Sequence, residues 1–213
     1  MAAQVIVPKS EIRNCGEIVG LLKNSHRLNV QVVHEFCHAT FLLSSRCAAI
    51  RLKSSEFVKV NQEKKIVKIV QTMNDYFDRP YLILEGDSGL RTIYGDSIVS
   101  LLARSNIRVL YSTGSSETAK LVFKMSEFEE EKGHILYWSP DMPQSVKSHF
   151  KFYVNLPGLN FAMALQLCYE FDSPAEFMHA DPNEIADKMP EVTRKLENIR
   201  SFCDATFQGN VDK

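Results

Sequence analysis

The sequence has no paired-cysteine spacing: Cys15, Cys37, Cys47, Cys168 and Cys203 are odd in number and include no C-x-x-C. That excludes the disulfide framework of a small secreted domain and a zinc ribbon, and leaves free thiols in a reducing compartment as the expectation. His34, Cys37, His38 and Cys47 match no zinc signature either, because neighbours on a strand point to opposite faces. Long hydrophobic runs are also missing. The apolar run Tyr81–Leu84 is far shorter than the ~20 residues of a membrane span, and the chain does not open on a charged segment followed by an apolar one. A soluble intracellular chain with no membrane association is expected. There is no low-complexity or collagen-like tract, only one tryptophan, and a formal charge of −1, too small to draw the whole chain toward nucleic acid.

What is present is a length of 213 residues, 45% of them hydrophobic, enough to bury one large core or a medium and a small one. Charge is unevenly placed: residues 1–140 hold 18 Lys and Arg against 15 Asp and Glu, whereas residues 141–213 hold 7 against 11. The first part carries +3 and the second −4, which suggests two bodies of different character.

Residues 4–8, QVIVP, form a buried strand, and Asn14 is placed to cap a helix with Ile18, Leu21 and Leu22 at helical spacing. Segments 29–36, 39–45 and 47–53 are rich in β-branched and apolar residues and suggest a three-strand meander. A long helix from Ser55 to Phe77 follows, with Phe57, Val60, Ile66, Val67, Val70, Met73 and Phe77 near one face. PYLILEGD (80–87) is the run of a central strand buried on both faces. A helix (95–106), a strand (107–113) and a helix opened by Ser115 or Ser116 complete a mixed sheet covered on both sides. Glu129, Glu130 and Glu131 end that last helix and are expected to face solvent. The domain plan is 1–134, then a linker over 135–146 containing Trp138, then an all-α domain over 147–213. In the latter, Ser173-Pro174 and Asp181-Pro182 are N-cap and first-turn proline pairs.

RPYLILEGD after the long helix, IRVLYSTGSSETAKLV for the next strand and helix, and FYVNLPGLNFAMALQLCYEFDSPAEFMHADPNEI in the helical part resemble the XPF family of structure-specific endonucleases. The resemblance runs from Val5 to Phe207. It implies an α/β fold: a restriction-endonuclease-like mixed sheet domain followed by a small tandem helix-hairpin-helix domain. Active members resemble other metal nucleases, with an Asp ending the first strand, the Asp of Gly-Asp-Tyr, and Glu-Arg-Lys on the next strand. Carboxylates there hold a divalent cation that activates water, and the lysine adds positive charge. On this pattern the first Asp falls on Pro8, Gly-Asp-Tyr on Ala39-Thr40-Phe41, and Glu-Arg-Lys on Ile50-Arg51-Leu52. Only the arginine is kept. Pro8, Thr40, Ile50 and Leu52 offer nothing to a metal, so the resemblance implies a chain without catalysis, metal or cofactor. Non-catalytic branches of the family include a Fanconi translocase, its small Fanconi-associated partner and meiotic crossover scaffolds.

Helix-hairpin-helix modules hold a phosphate on backbone N–H groups at a helix N-terminus. The first hairpin is Leu156–Asn160, with Gly158 kept and Asn160 in place of the family's second glycine; asparagine tolerates the left-handed conformation such a turn uses. The second, Met189–Lys195, lacks glycine. Its Glu191 is expected near the phosphate path, with Thr193, Arg194 and Lys195 able to reach a backbone. Further basic residues are Lys64, Lys65 and Lys68 on the long helix, and Arg46, Arg51 and Lys53 on the strands of the former active site. Phe150, Tyr153, Val154, Phe161, Leu165, Phe202 and Phe207 exceed what a small bundle readily buries and are expected to face a partner. The resemblance thus implies a nuclear, heterodimeric subunit that pairs with an XPF-family relative and binds branched or single-stranded DNA in repair or meiotic crossover formation. Two alternatives remain: an active endonuclease with relocated metal ligands, its substitute site residues being Glu11, Glu35, Glu56 and Lys53, or a scaffold that binds only protein.

Overall fold

The computed structural model describes residues 4–33, 39–62, 64–86, 95–132 and 143–204. These fall in two compact units, Met1–Asp141 and Met142–Lys213. Trp138, Glu35, His34, Cys37, His38 and Phe207 lie outside the described residues.

The first unit runs β1 (Gln4–Pro8), a 3-10 turn (Lys9–Glu11), α1 (Ile12–Asn24), β2 (Asn29–Val33), β3 (Phe41–Leu42), β4 (Cys47–Lys53), α2 (Ser54–Gln62), α3 (Lys65–Tyr76), β5 (Arg79–Glu85), α4 (Gly95–Ala103), β6 (Arg108–Ser112) and α5 (Ser115–Glu131). The sheet order is β2-β1-β3-β4-β5-β6. Only the two-residue β3 is antiparallel to its neighbours. The expected meander is therefore wrong. β2 returns through α1 to lie parallel to β1 at the edge, and β3 sits on the other side of β1. The helix between them makes this a crossover connection, which parallel pairing requires.

Strand alternation divides the core into two layers. Val5, Val7, Phe41, Cys47, Ala49 and Ile83 pack with Ile18 and Leu22 of α1 and Ala119 and Val122 of α5. Ile6, Leu42, Ala48, Ile50, Leu82 and Leu84 are buried on the opposite parity, the side where α2 and α3 bring Phe57, Ile66, Val70 and Met73.

Two helix expectations change. Asn14 does not cap α1, which already begins at Ile12; instead the helix kinks at Cys15 (φ −122°, ψ 17°). The long helix is two, broken at Lys64, whose φ of 56° is left-handed. The reason is in the apolar phase. At about 100° per residue, an unbroken helix would set Phe57 and Ile66 on opposite sides, yet both are buried.

The second unit is a bundle of α6 (Gln144–Val154), α7 (Phe161–Glu170), α8 (Pro174–His179), α9 (Pro182–Lys188), α10 (Pro190–Thr193) and α11 (Leu196–Asp204). α6 starts at Gln144, inside the segment expected to be linker. The caps fall where the sequence places them: Ser173 Oγ accepts from Glu176 N–H (3.1 Å) and Asp181 Oδ1 from Asn183 N–H (2.7 Å).

Candidate nucleic-acid interface

The four positions that the resemblance matches to metal-site residues come together in the first unit. Ile6 pairs with Leu42 and Phe41 with Ala49, so alternation puts Pro8, Thr40, Ile50 and Leu52 on one face at one end of the strands. Pro8, Thr40 and Ile50 are buried and Leu52 is half-buried. The single hydroxyl is engaged: Thr40 Oγ1 accepts from the Arg51 N–H (3.1 Å), and the Thr40 N–H donates to the Ala49 carbonyl (2.9 Å). Among the described residues, no three His, Cys, Asp or Glu side chains are grouped to hold a metal ion. Of the substitute ligands, Glu56 is occupied at the start of α2, accepting from the Lys53 N–H at 2.8 Å.

Arg51 is one step out of phase with these positions and points to the α1–α5 side, which corrects its placement on a DNA-facing rim. It is 5% exposed. Its Nε donates to Glu85 Oε2 (3.0 Å), its Nη2 to Glu85 Oε1, and its Nη1 to the Asn14 carbonyl at the α1 kink (2.9 Å). Thr118 of α5 donates to Glu85 Oε2 (2.7 Å) and shares a hydrogen bond with Ser112 of β6 (2.7 Å). One guanidinium thus ties α1 to β4 and β5, and its partner carboxylate carries the connection to β6 and α5. Burial alone would push the Glu85 carboxyl up; hydrogen bonds from Arg51 and Thr118, with the charge of Arg51, outweigh it and hold the pKa below the ordinary value. Of Ile50, Arg51 and Leu52, the arginine alone faces away from the sheet end that holds Pro8 and Thr40, which gives it an architectural role. Glu85 and Thr118 were missed in the sequence. Their available signal was a carboxylate closing an otherwise apolar strand.

A second buried pair corrects the reading of Glu129, which is 2% exposed rather than facing solvent. Arg79 donates from Nε to Oε1 (2.9 Å) and Nη2 to Oε2 (2.6 Å), and Ser44 donates to Oε2 (2.6 Å), fixing the β3–β4 turn to α5. Cys47 lies in this core, and burial pushes its thiol pKa up, which keeps it protonated.

Lys53, Lys64, Lys65 and Lys68 are exposed. Lys64 and Lys68 stand one turn apart where α3 begins, a compact group of positive charge. Arg46 is half-buried, with its Nε 4.0 Å from Asp78 Oδ2.

In the second unit Gly158 takes the left-handed conformation (φ +79°), and a Cβ built on it would lie 3.1 Å from Lys195 Cδ. The two hairpins therefore touch. Asn160 is not left-handed but extended (φ −105°, ψ 176°), and its Oδ1 accepts from the Met163 N–H (2.8 Å). It caps α7 and occupies a donor that a phosphate would otherwise use. Glu191 is 3% exposed, so it is part of the bundle rather than a carboxylate on the phosphate path. Thr193 is half-buried with its hydroxyl on the Met189 carbonyl (3.3 Å), Lys195 is half-buried, and Arg194 is exposed.

The expected partner-facing residues divide. Tyr153, Phe161 and Leu165 are buried, so the bundle covers more apolar surface than its size suggests. Phe150 is half-buried against the edge of Phe161, ring centres 5.0 Å apart. Val154 and Phe202 are exposed, Phe202 by 59%.

No family model matches the chain. It is 27% identical over 214 residues to the Fanconi anemia group M protein homolog of Mus musculus, covering 96% of this chain and 10% of that protein. The Fanconi anemia group M protein of Gallus gallus is 27% identical over 191 residues, covering 85% and 9%. A putative ATP-dependent RNA helicase of Methanocaldococcus jannaschii is 24% identical over 175 residues, covering 79% and 22%. The chain thus spans about a tenth of the two Fanconi relatives. XPF from Aeropyrum pernix in complex with DNA superposes with a TM-score of 0.55 at 16% identity, over 96% of this chain and all of that one; the DNA-free form gives 0.53 at 17%. The chain is thus similar in sequence to the Fanconi anemia group M proteins and shares the fold of XPF from Aeropyrum pernix.

Proposed function

We propose that this chain is a catalytically inactive XPF-type subunit that pairs with a family relative and holds branched or single-stranded DNA in repair or meiotic recombination, in the nucleus. The observation that carries the reading is the convergence of Pro8, Thr40, Ile50 and Leu52 on one sheet face where active relatives need carboxylates and a lysine. DNA binding rests on the exposed lysines that open α3, on the Gly158 turn beside Lys195, and on the fold shared with an XPF that is bound to DNA. The engagement of Asn160 by its own helix and the −4 charge of residues 141–213 make the lysines of the first unit the stronger contact. Pairing rests on exposed apolar side chains in each unit: Val154 and Phe202 in the bundle, and Val99, Leu102 and Tyr111 around α4 and the open edge strand β6.

Co-expression with XPF-family relatives, followed by size exclusion with light scattering, tests this. A one-to-one complex that binds forked or single-stranded DNA, and loses it as salt rises, is expected. A stable, soluble monomer that never pairs, or a complex indifferent to DNA at low salt, overturns it.

A further inference from the structure

The first unit carries a groove that neither the former metal site nor the pairing surfaces use. It lies between α3 and α4 with a volume of about 460 Å³, within the ~300–1,000 Å³ range of sites that hold small organic groups. Its floor is aliphatic: Ile66 and Val70 are buried and Leu101 half-buried. Its walls are polar. Ser97, Ser100 and Arg104 recur at helical spacing on the α4 side, and Gln71 and Asn61 face them from α3 and the end of α2. Among the described residues these five side chains make no hydrogen bond or ion pair. Asp96 also lines the groove.

The geometry points to a docking site for an unpaired nucleobase of single-stranded DNA, an inference that rests on the DNA-binding reading above. A base has apolar faces and a hydrogen-bonding edge, and enzymes that hold unpaired bases grip them between apolar surfaces and polar groups. A purely aliphatic anchor would fill the floor but use none of the amides, hydroxyls and guanidinium that the walls present, whereas a base edge engages them. Asp96 accepts from a base amino or imino N–H and disfavours a phosphate in the groove itself. Phosphates instead meet Lys68, three residues before the groove-lining Gln71 on α3, and Lys64 at the break just before that helix. The charge around the mouth, two lysines and Arg104 against Asp96, matches a strand with one base turned inward.

Fluorescence anisotropy of the full chain separates the base from the backbone. The probes are an oligothymidylate, a mixed-sequence oligomer and an abasic oligomer of the same length. The wild type prefers the base-containing oligomers by about tenfold, the scale of one or two hydrogen bonds to a base edge. Ser100→Phe fills the groove from an exposed position; it erases that preference while abasic affinity and thermal melting stay unchanged. Lys64→Glu with Lys68→Glu weakens all three probes together. Equal binding of all probes by the wild type, or a preference that survives Ser100→Phe, overturns the groove site and leaves the DNA-binding reading standing. No binding to any probe at low salt overturns both.

Discussion

Replacing Arg51 by methionine should destabilise the first unit by about 3–5 kcal/mol at neutral pH, the usual cost of leaving one member of a buried ion pair without its partner. The substitution leaves the Glu85 carboxylate 7% exposed with Thr118 as its hydrogen-bond donor, and strips the Asn14 carbonyl of the Nη1 donor. Against a total stability of roughly 5–15 kcal/mol, that is a large share. The pH dependence carries a further test. In the wild type Glu85 is held below its ordinary pKa of 4.5, so its contribution is present above that value and is lost as the pH falls through the lower folded pKa. In Arg51→Met burial acts unopposed by the guanidinium and raises the carboxyl, so the penalty is greatest at neutral pH and shrinks on acidification. Arg51→Met with Glu85→Leu should recover much of the loss, because no buried charge is left alone. Urea unfolding at several pH values, with amide exchange reporting α5, measures all three. A loss below about 1 kcal/mol, accompanied by a large drop in DNA affinity, would contradict the buried pair and return Arg51 to the surface.

The remaining predictions concern the second unit. Tyr153 is fully buried and its hydroxyl lacks a hydrogen-bond partner among the described residues, so Tyr153→Phe should be neutral or stabilising by up to about 1 kcal/mol; a clear loss of thermal stability would show that the hydroxyl is bonded. Gly158→Ala should cost about 1–2 kcal/mol for a side chain in the left-handed region, plus displacement of Lys195, with Gly158→Asn milder; equal melting temperatures for all three would contradict the turn. Phe202→Glu should leave melting unchanged yet prevent pairing in size exclusion, and a normal complex would remove Phe202 from the interface.

Much of the architecture was legible because it rests on local rules. The capped prolines at 174 and 182 and the apolar run at 82–84 fix their elements whatever surrounds them. The order of strands was not, since 29–33 and 41–42 look alike in composition and only the crossover through α1 sets them on opposite sides of β1. The helix break at Lys64 was present in the sequence as a phase mismatch between Phe57 and Ile66, but lysines tolerate helix well enough to hide it. At the site, the residue types at positions 8, 40, 50 and 52, none of them a carboxylate or a lysine, were plain in the sequence. The roles of Arg51, Glu129, Glu191 and Asn160 were not, because a charged or amide side chain looks solvent-facing until a distant partner such as Glu85 or Arg79, or a helix terminus, accounts for its burial.

Under the proposed function the nuclease fold is kept for shape and pairing and its chemistry is gone. A labelled DNA fork incubated with the purified complex in Mg²⁺ or Mn²⁺, with binding and strand integrity scored in the same reaction, tests it most directly. The account predicts a salt-sensitive complex in which both strands stay intact. Mn²⁺-dependent cleavage that Glu11→Ala abolishes would contradict it.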